Sequence, residues 1–381
     1  MTSVTSETSE TSALNVDAFP SLPIINAESW GVTGLCVTPD SSYVLKGLDD
    51  GTLGMWDLKT GVSVCVFNAT RRIVTSVCVT SDGKHVVAGS ADHTARVWQL
   101  EEVEQEDGSP VIRSVLLHTL NWHRDWVNSV CVTKSGKYVV TGSSDHTACV
   151  WRMCNGMREC SLVEHSDWVT SVCVTADDDH VVTGSMDKTV CIWRLEGGAL
   201  VHRFETHGAV MAVCVTSDGY YLVTRSLVNA VQVWDVQQDY ELFCSIDGPD
   251  FGGWSGIHSL CVTPDNKHVV VGSTGQQMWT LDGREVRTIP SGGPVCVCVT
   301  PDGNHLVADN GSGITKWPLA KARLAQLRQL FWAQRFLWWW WGCVWKPGSR
   351  HANAAASEFA QMQGGSVVAE EAASAEAAGR A

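Results

Sequence analysis

The stretch SVCVTADDDHVVTGSMDKTVCIW, Ser171–Trp193, recurs along the chain in closely similar form. Two other copies are SVCVTSDGKHVVAGSADHTARVW, Ser76–Trp98, and SVCVTKSGKYVVTGSSDHTACVW, Ser129–Trp151. Each copy begins with a short apolar run, passes through a turn and ends on a tryptophan. Because self-similarity at a fixed period is the signature of repeat architectures, the number and spacing of the copies decide the fold.

The triplet Cys-Val-Thr gives the number of copies. It begins at seven positions, and a tryptophan follows each one. The triplets begin at Cys36, Cys78, Cys131, Cys173, Cys214, Cys261 and Cys298, and the tryptophans are Trp56, Trp98, Trp151, Trp193, Trp234, Trp279 and Trp317. Successive copies start 37 to 53 residues apart. A period near forty that ends on tryptophan is typical of a repeat array.

Each copy has the pattern of four short strands. Valine pairs such as Val139-Val140 favour strands, and turns such as Ser81-Asp82-Gly83 favour hairpins. A four-stranded sheet buries its faces only against neighbours, so we expect seven sheets to be arranged radially. The predicted fold class is all-β.

These copies resemble the WD40 repeat family over about residues 21–317, which implies a seven-bladed β-propeller. In that family a histidine, a serine or threonine, an aspartate and the tryptophan form a buried hydrogen-bonded tetrad in each blade. The resemblance implies complete tetrads in blades 3 and 4, made by His123, Thr141, Asp145 and Trp151 and by His165, Thr183, Asp187 and Trp193. Blade 5 keeps His207, Thr224 and Trp234 but has Val228 in the aspartate position.

The other blades depart further from this pattern. Blade 2 keeps Asp92 and Trp98 but has Thr70 and Ala88 at the other two positions, and blades 6 and 7 keep little beyond the tryptophan. The first strand of such chains often completes the last blade. We therefore expect Leu22–Asn26 to pair in blade 7, which removes an exposed edge.

The chain divides into four predicted segments. Residues 1–20 are rich in serine and threonine and are predicted to be disordered. Residues 21–317 form the propeller, 318–347 a basic, aromatic-rich helix, and 348–381 an alanine-rich tail of low complexity. An acidic insertion within the propeller, Glu101–Asp107, is predicted to be a solvated loop.

The net charge, the first residues and the cysteine content limit the expected partners and location of the protein. The formal net charge is −14, and an acidic propeller repels a phosphate backbone, so nucleic acid is not an expected partner. The first fifteen residues hold no apolar run, so we expect no signal peptide. Seven of the fifteen cysteines occupy the repeated strand position, where cysteine packs as a small hydrophobe. A reducing compartment, the cytoplasm or the nucleus, is therefore expected.

Motifs for chemistry are missing from the sequence. It holds neither a glycine-rich phosphate loop nor a Gly-x-Ser-x-Gly elbow. Cys149, Cys154, Cys160 and His165 are near one another, but their spacing matches no common zinc pattern. We therefore expect no catalytic residue, metal or cofactor. The predicted function is a non-enzymatic scaffold that binds other proteins or peptides, as a monomeric propeller within a complex.

Aromatic residues mark a candidate binding face. In the WD40 family the loops that lead into the first strand of each blade lie on one face, where partners often dock. Trp126 and Trp168 occupy this position in blades 3 and 4, Trp122 is nearby, and an insertion adds Phe251 and Trp254. Exposed aromatics are typical interface anchors. The alternative is that these rings pack between blades.

The residues after the last repeat suggest an alternative function. Residues 319–345 include LRQLFWAQRFLWWWWGCVW, and Lys321, Arg328 and Arg335 recur every seven residues. A basic amphipathic helix with aromatics is typical of docking on a membrane surface or on a helix-binding partner. The uncharged run Phe336–Trp345 is too short to span a bilayer. Two further interpretations are that the helix packs on the propeller and that it arises from an error in the coding sequence.

Overall fold

The computed structural model describes residues 22–25, 34–67, 70–104, 110–227, 230–247, 259–272, 275–290, 296–309 and 313–319. All of them belong to one compact unit, Met1–Leu319. Residues 1–20 and the tail from residue 320 onward lie outside the described residues, as do Val228, Phe251 and Trp254. In the described ranges no helix is long and apolar enough to cross a membrane.

The described strands form seven antiparallel four-stranded sheets, the blades, numbered in chain order. Blade 1 holds β2 (Leu35–Val37), β3 (Tyr43–Gly47), β4 (Leu53–Asp57) and β5 (Ser63–Phe67). Blade 2 holds β6 (Val74–Val79), β7 (His85–Ser90), β8 (Thr94–Glu104) and β9 (Pro110–Asn121). Blade 3 holds β10 (Val127–Val132), β11 (Tyr138–Ser143), β12 (Thr147–Arg152) and β13 (Arg158–Val163). Blade 4 holds β14 (Val169–Val174), β15 (His180–Ser185), β16 (Thr189–Arg194) and β17 (Leu200–Glu205).

The remaining three blades complete the propeller. Blade 5 holds β18 (Val210–Val215), β19 (Tyr221–Ser226), β20 (Ala230–Asp235) and β21 (Glu241–Asp247). Blade 6 holds β22 (Leu260–Val262), β23 (His268–Gly272), β24 (Gly275–Thr280) and β25 (Glu285–Pro290). Blade 7 holds β26 (Cys296–Val299), β27 (His305–Asp309), β28 (Ile314–Pro318) and β1 (Leu22–Ile25). The prediction of an all-β, seven-bladed propeller is confirmed.

The blades close into a ring. The first strand of every blade contacts the first strands of both neighbouring blades, and β2 of blade 1 contacts β26 of blade 7. The outermost strand of blade 7 comes from the start of the chain, since β1 pairs with β28 and places Leu22 opposite Lys316. The predicted closure is thus confirmed for Leu22–Ile25, and Asn26 lies outside the described residues.

The repeated serine of the Ser-Val-Cys-Val-Thr phrase joins neighbouring blades. The hydroxyl of Ser129 accepts a hydrogen bond from the Val172 amide at 3.1 Å, and that of Ser171 accepts one from the Val213 amide at the same distance. Ser76 makes the equivalent bond between blades 2 and 3. Because an inner-strand amide would otherwise be left without an acceptor, the serine recurs for a structural reason.

The threonine of the phrase fixes the following turn. In blade 4 the Thr175 hydroxyl donates to the Asp177 carboxylate at 2.5 Å and accepts from the His180 amide at 3.0 Å. A side chain that bonds to its own turn stabilises that turn locally. The same threonine bonds recur in blades 1, 2, 5, 6 and 7.

Glycines in the second strands allow the blades to approach closely. A Cβ on Gly184 would lie 2.5 Å from a methyl of Val210 in the next blade, and one on Gly142 would lie 2.7 Å from a methyl of Val172. The valines and the tryptophan of each copy fill the same interfaces; Trp193, for example, is buried in the cluster that includes Val172. The core is therefore divided among the interfaces between blades.

A buried ion pair lies where the ring closes. Lys46 Nζ in β3 is 2.8 Å from Asp309 Oδ2 in β27, and both side chains are fully buried. This pair joins blade 1 to blade 7. Removal of one partner from a buried ion pair typically costs about 3–5 kcal/mol, because the other charge stays behind in the interior.

The structure corrects the prediction for the acidic insertion of blade 2. Glu101–Glu104 continue strand β8 and pair with residues of β9, so that Glu101 lies opposite Arg113 and Val103 opposite Val111. The predicted loop was wrong over these four residues. The charged side chains of this segment suggested a loop, but its valine pairs with a valine of β9 across the two strands of a ribbon.

The seven repeated cysteines form a ring at the centre of the propeller. Each of these cysteines lies on the first strand of its blade, and the first strands contact one another around the ring. Burial raises the pKa of each thiol; the pKa of Cys36 is about 11 and that of Cys298 about 12. The ring consists of Cys36, Cys78, Cys131, Cys173, Cys214, Cys261 and Cys298. Because the thiolate is the reactive form, the raised pKa lowers the reactivity of these thiols at neutral pH.

Alkylation of the native protein tests this assignment. Cys154 is exposed, and Cys343 lies outside the described residues, so the test uses a Cys343→Ser background. Iodoacetamide at pH 7.5 should modify Cys154 rapidly and leave the seven ring thiols intact until the protein is unfolded in guanidinium. Peptide mass spectrometry gives the sites, and Cys154→Ser should remove the fast phase. Modification of two or more ring thiols at the rate of Cys154 would contradict the assignment.

Candidate functional site

A four-residue hydrogen-bonded network lies inside blade 4. The indole N–H of Trp193 donates to the Thr183 hydroxyl at 2.9 Å, and Thr183 Oγ1 lies 2.7 Å from Nε2 of His165. The other ring nitrogen, Nδ1, is 2.9 Å from Asp187 Oδ2. The side chains of His165 and Asp187 are almost completely buried. Each of these polar groups is therefore paired, as burial requires.

Blade 3 repeats this geometry. Trp151 donates to Thr141 at 3.0 Å, Thr141 lies 2.7 Å from His123 Nε2, and His123 Nδ1 lies 2.9 Å from Asp145 Oδ2. The eight residues that the family resemblance assigns to tetrads thus lie in two hydrogen-bonded sets of four.

The direction of the hydrogen bonds follows from the donors. The tryptophan can only donate, so Thr183 accepts from Trp193. The carboxylate of Asp187 can only accept, so His165 carries a proton on Nδ1 and donates to it. In the neutral ring Nε2 then accepts from the Thr183 hydroxyl. Burial favours this state, since it lowers the pKa of His165.

Hydrogen bonds keep Asp187 ionised. Burial by itself would raise the pKa of this carboxyl group, but the Thr189 hydroxyl, the Ser166 amide and His165 outweigh it, and the net pKa is lowered. The Thr189 hydroxyl donates to Oδ1 at 2.7 Å and the Ser166 amide donates to Oδ2 at 3.0 Å. The pKa of Asp145 is lowered in the same way.

The network also holds the loop that carries Trp168. Asp187 binds the amide of Ser166, two residues before Trp168, while the Ser185 hydroxyl donates to the carbonyl of Asp167 at 3.1 Å. The Trp168 carbonyl accepts from the Met186 amide at 2.9 Å. Its own amide donates to the Asp167 carboxylate at 2.8 Å. The backbone of this loop is therefore fixed on both sides of the tryptophan.

Trp126 is held by an equivalent set of bonds in blade 3. Its amide donates to Asp125 at 2.8 Å, and its carbonyl accepts from the Ser144 amide at 2.9 Å. The same carbonyl position is bonded in the flanking blades at Ile73 and Ala209. Residues 73, 126, 168 and 209 therefore form one row on the face where the fourth strand of each blade leads into the first strand of the next. We call this face the tryptophan face.

The rings of this row are exposed to solvent. Trp126 is 43% exposed and Trp168 49% exposed, and Ile73 is also exposed. This exposure favours the interface interpretation over packing between blades, because a ring between blades would be buried as Trp193 is.

Trp122 lies in a different environment. The guanidinium carbon of Arg158 is 3.2 Å from the centroid of the Trp122 ring, a cation–π contact that covers part of the ring. Arg158 also donates to the Ser161 hydroxyl at 2.8 Å. Arg158 was missed in the sequence analysis, because the contact joins neighbouring blades and has no local signal.

The incomplete blades use other residues. In blade 5, Trp234 donates to Thr224 at 2.9 Å, but His207 is exposed and lies 2.7 Å from the Gln232 amide. In blade 2, Asp92 forms an ion pair with Arg96 at 3.1 Å.

The last two blades differ from each other as well as from this pattern. In blade 7, Trp317 donates to Thr315 at 3.1 Å. The indole nitrogen of Trp279 in blade 6 has no acceptor among the described residues. Only blades 3 and 4 therefore combine a complete tetrad with a tryptophan on the loop that it supports.

Metal-binding side chains are not gathered anywhere in the described part of the chain: no group of three or more histidine, cysteine, aspartate or glutamate residues is arranged to hold an ion. The histidines and aspartates of blades 3 and 4 use their ring nitrogens and carboxylate oxygens in the network above. Their arrangement supports a structural role.

Comparison with known families agrees with the fold. The model of the family "WD domain, G-beta repeat" matches residues 21–57, 61–99, 114–152, 156–194 and 198–235, which together make up half of the chain. The chain therefore belongs to the WD40 family, whose members are typically non-enzymatic interaction scaffolds. No curated protein matches it.

The tetrad of blade 4 should contribute more to stability than a turn aspartate of the same blade. Asp187→Ala leaves His165, Thr189 and a backbone amide without their acceptor in the interior, and we expect a loss of about 3 kcal/mol in the free energy of unfolding. Asp177→Ala is the control: this aspartate is exposed and binds only its own turn, so we expect a loss of about 1 kcal/mol or less. Urea unfolding measures both, and equal losses would contradict the assigned role.

The lowered pKa of Asp187 gives a second, pH-dependent test. A carboxyl group with a lowered folded pKa stabilises the protein above its unfolded pKa of about 3.9, and this stabilisation is lost as the pH falls toward the folded pKa. The free energy of unfolding of the native protein should therefore fall more steeply between about pH 5 and pH 3 than that of Asp187→Asn. Parallel pH profiles would show that Asp187 is not ionised in the network.

Proposed function

We propose that the protein is a non-enzymatic scaffold that binds a peptide or protein across blades 3 and 4 of the tryptophan face. The observation that carries the proposal is the combination of exposure and rigidity at Trp126 and Trp168. Both rings are exposed, while the backbone on each side of them is hydrogen bonded. An anchor held in this way loses little entropy when a partner covers it.

The two anchors stand immediately before adjacent first strands, β10 and β14. The side-chain amide of Asn128, two residues after Trp126, donates to the Val169 carbonyl, one residue after Trp168, at 2.9 Å. This bond ties the two loops together, so that both rings are presented by one rigid element. Ile73 and Ala209 continue the row on either side. A segment of partner chain that follows this row would meet one apolar side chain per blade.

The complete tetrads support the same proposal. They occur in the two blades that carry the tryptophans, and each tetrad aspartate binds the loop that leads to its tryptophan. The network therefore positions the anchors, and we propose that this is why blades 3 and 4 keep it. Phe251 and Trp254 lie outside the described residues and remain a proposed second edge of the surface.

We also propose that the protein works in a reducing compartment, the cytoplasm or nucleus, as a monomeric propeller within a larger complex. The seven free cysteines on the first strands support the location, since free thiols are typical of a reducing compartment.

Replacement of the anchors tests the proposed face. Trp126→Ala and Trp168→Ala should each keep the melting temperature within a few degrees and reduce partner capture by at least tenfold, because interface anchors often contribute about 2 kcal/mol or more. The measurement is a pulldown with the full chain, quantified by mass spectrometry.

Tyr220→Ala is the matched control. Tyr220 is 53% exposed and belongs to the turn between β18 and β19, on the opposite face of the propeller. It should retain every partner. If the two tryptophan variants stay folded and capture the same proteins as the native chain, the proposed face is wrong. If they unfold, the rings serve packing rather than binding.

A further inference from the structure

The outer edge of blade 2 differs from the other blades. Its outermost strand, β9, has 12 residues, whereas the outermost strands of the other six blades have four to seven. The adjacent strand β8 pairs with β7 only as far as Gln99 and continues to Glu104 with β9 as its partner. The residues beyond Gln99 therefore form a two-stranded ribbon, which we call the β8–β9 ribbon. It lies on the side opposite the tryptophan face.

The ribbon is anchored at its base. Leu100 and Ile112 pack against the core cluster between blades 1 and 2, which includes Met55 and Trp98. A two-stranded ribbon is marginally stable alone, so this packing is what fixes its geometry. Its edges are therefore held in a defined position before any partner arrives.

Among the described strands, none pairs with the outer edge of β9. β9 is the last strand of its sheet, and among the described strands it pairs only with β8. Natural proteins usually keep such edges short, charged or covered, because the free amides and carbonyls pair readily with another strand. β9 departs from this rule: Val115, Leu116 and Leu117 are 41%, 51% and 38% exposed.

The negative charge of the ribbon favours a positively charged partner. Glu101, Glu102 and Glu104 are exposed, and Arg113 is the only basic residue within 100–104 and 110–116. A strand that lies along this edge is therefore favoured if it carries lysine or arginine.

We propose that the open edge of β9 binds an extended, basic segment of a partner protein by strand addition. Backbone hydrogen bonds to β9 provide the register, and alternate apolar side chains of the segment cover Val115–Leu117. The long cationic side chains of the segment extend across β9 toward Glu101, Glu102 and Glu104 of β8. This site is separate from the tryptophan face and does not depend on the function proposed above. The scaffold then has two binding surfaces, the tryptophan face and the outer edge of blade 2.

A designed peptide tests the proposed chemistry. The probe is a labelled ten-residue peptide of alternating lysine and valine, titrated against the full chain by fluorescence anisotropy. We expect saturable binding that weakens at least tenfold when salt is raised from about 0.05 M to about 0.5 M. The same peptide with glutamate in place of lysine should not bind. Nor should a version with alternate backbone amides N-methylated, because that change removes the donors needed for strand addition.

Hydrogen exchange locates the bound peptide. The amides of Val111–Leu117 that point away from β8 should exchange at measurable rates in the free protein and become protected when the lysine–valine peptide binds. Protection of these amides in the free protein would show that another part of the chain already covers the edge, and the proposal would be wrong.

Matched variants distinguish binding at the β9 edge from nonspecific electrostatic or hydrophobic binding. Leu116 lies opposite Trp98 in blade 2, and Leu242 lies opposite Trp234 in blade 5, with 51% and 43% of their surfaces exposed. Leu116→Asn should weaken peptide binding at least tenfold, while Leu242→Asn should leave it unchanged. The triple variant Glu101→Gln, Glu102→Gln, Glu104→Gln should also weaken binding at least tenfold and lose most of the salt dependence.

Several results would overturn the proposal. One is no binding to the native chain, and another is equal binding to the Leu116→Asn and native proteins. A third is loss of binding in Trp126→Ala, which would place the peptide on the tryptophan face instead. A further possibility is that the edge binds a second copy of this chain. Light scattering would then show a dimer of the native protein and a monomer of Leu116→Asn. Failure of the tryptophan-face pulldown would leave the β9 proposal intact.

Discussion

The constraint on which the structure depends is that a blade can bury its faces only against another blade. The core is therefore divided among the interfaces between blades, and the interface between blades 7 and 1 must join the two ends of the propeller. Two features make this closure: strand β1 pairs with β28, and Lys46 forms a buried ion pair with Asp309. Without them, blade 7 would present an open edge and an unpaired face to solvent.

The same constraint explains why the sequence repeats. In blades 2, 3 and 4 the serine of the phrase supplies an acceptor to the next blade. The second-strand glycine allows the next blade to approach, and the threonine closes the local turn. The glycine and the threonine occur in most blades because each interface and each turn needs them. The tetrad is different, since only blades 3 and 4 keep it complete. Those are also the blades whose loops present Trp126 and Trp168, so a local framework is retained where a surface must be held rigidly.

The sequence predicted those features that depend on repetition. Seven Cys-to-Trp copies predicted the blade number, and the position of Leu22 before the first copy predicted the closure. Contacts made by unique residues were missed. Lys46 occupies the tetrad threonine position of blade 1 and Asp309 a glycine position of blade 7, and only ring closure brings them together. Similarly, five acidic residues within 101–107 indicated a loop, although Leu100, Val103 and Ile112 continue the alternation of a strand.

The closing interface stabilises the whole ring. Native-state hydrogen exchange of Lys46→Met tests this directly. We expect the amides of β16, three blades away from the seam, to lose protection together with those of β3 and β27, by about 3–5 kcal/mol in opening free energy. A loss confined to blades 1 and 7, with β16 as well protected as in the native protein, would contradict the claim.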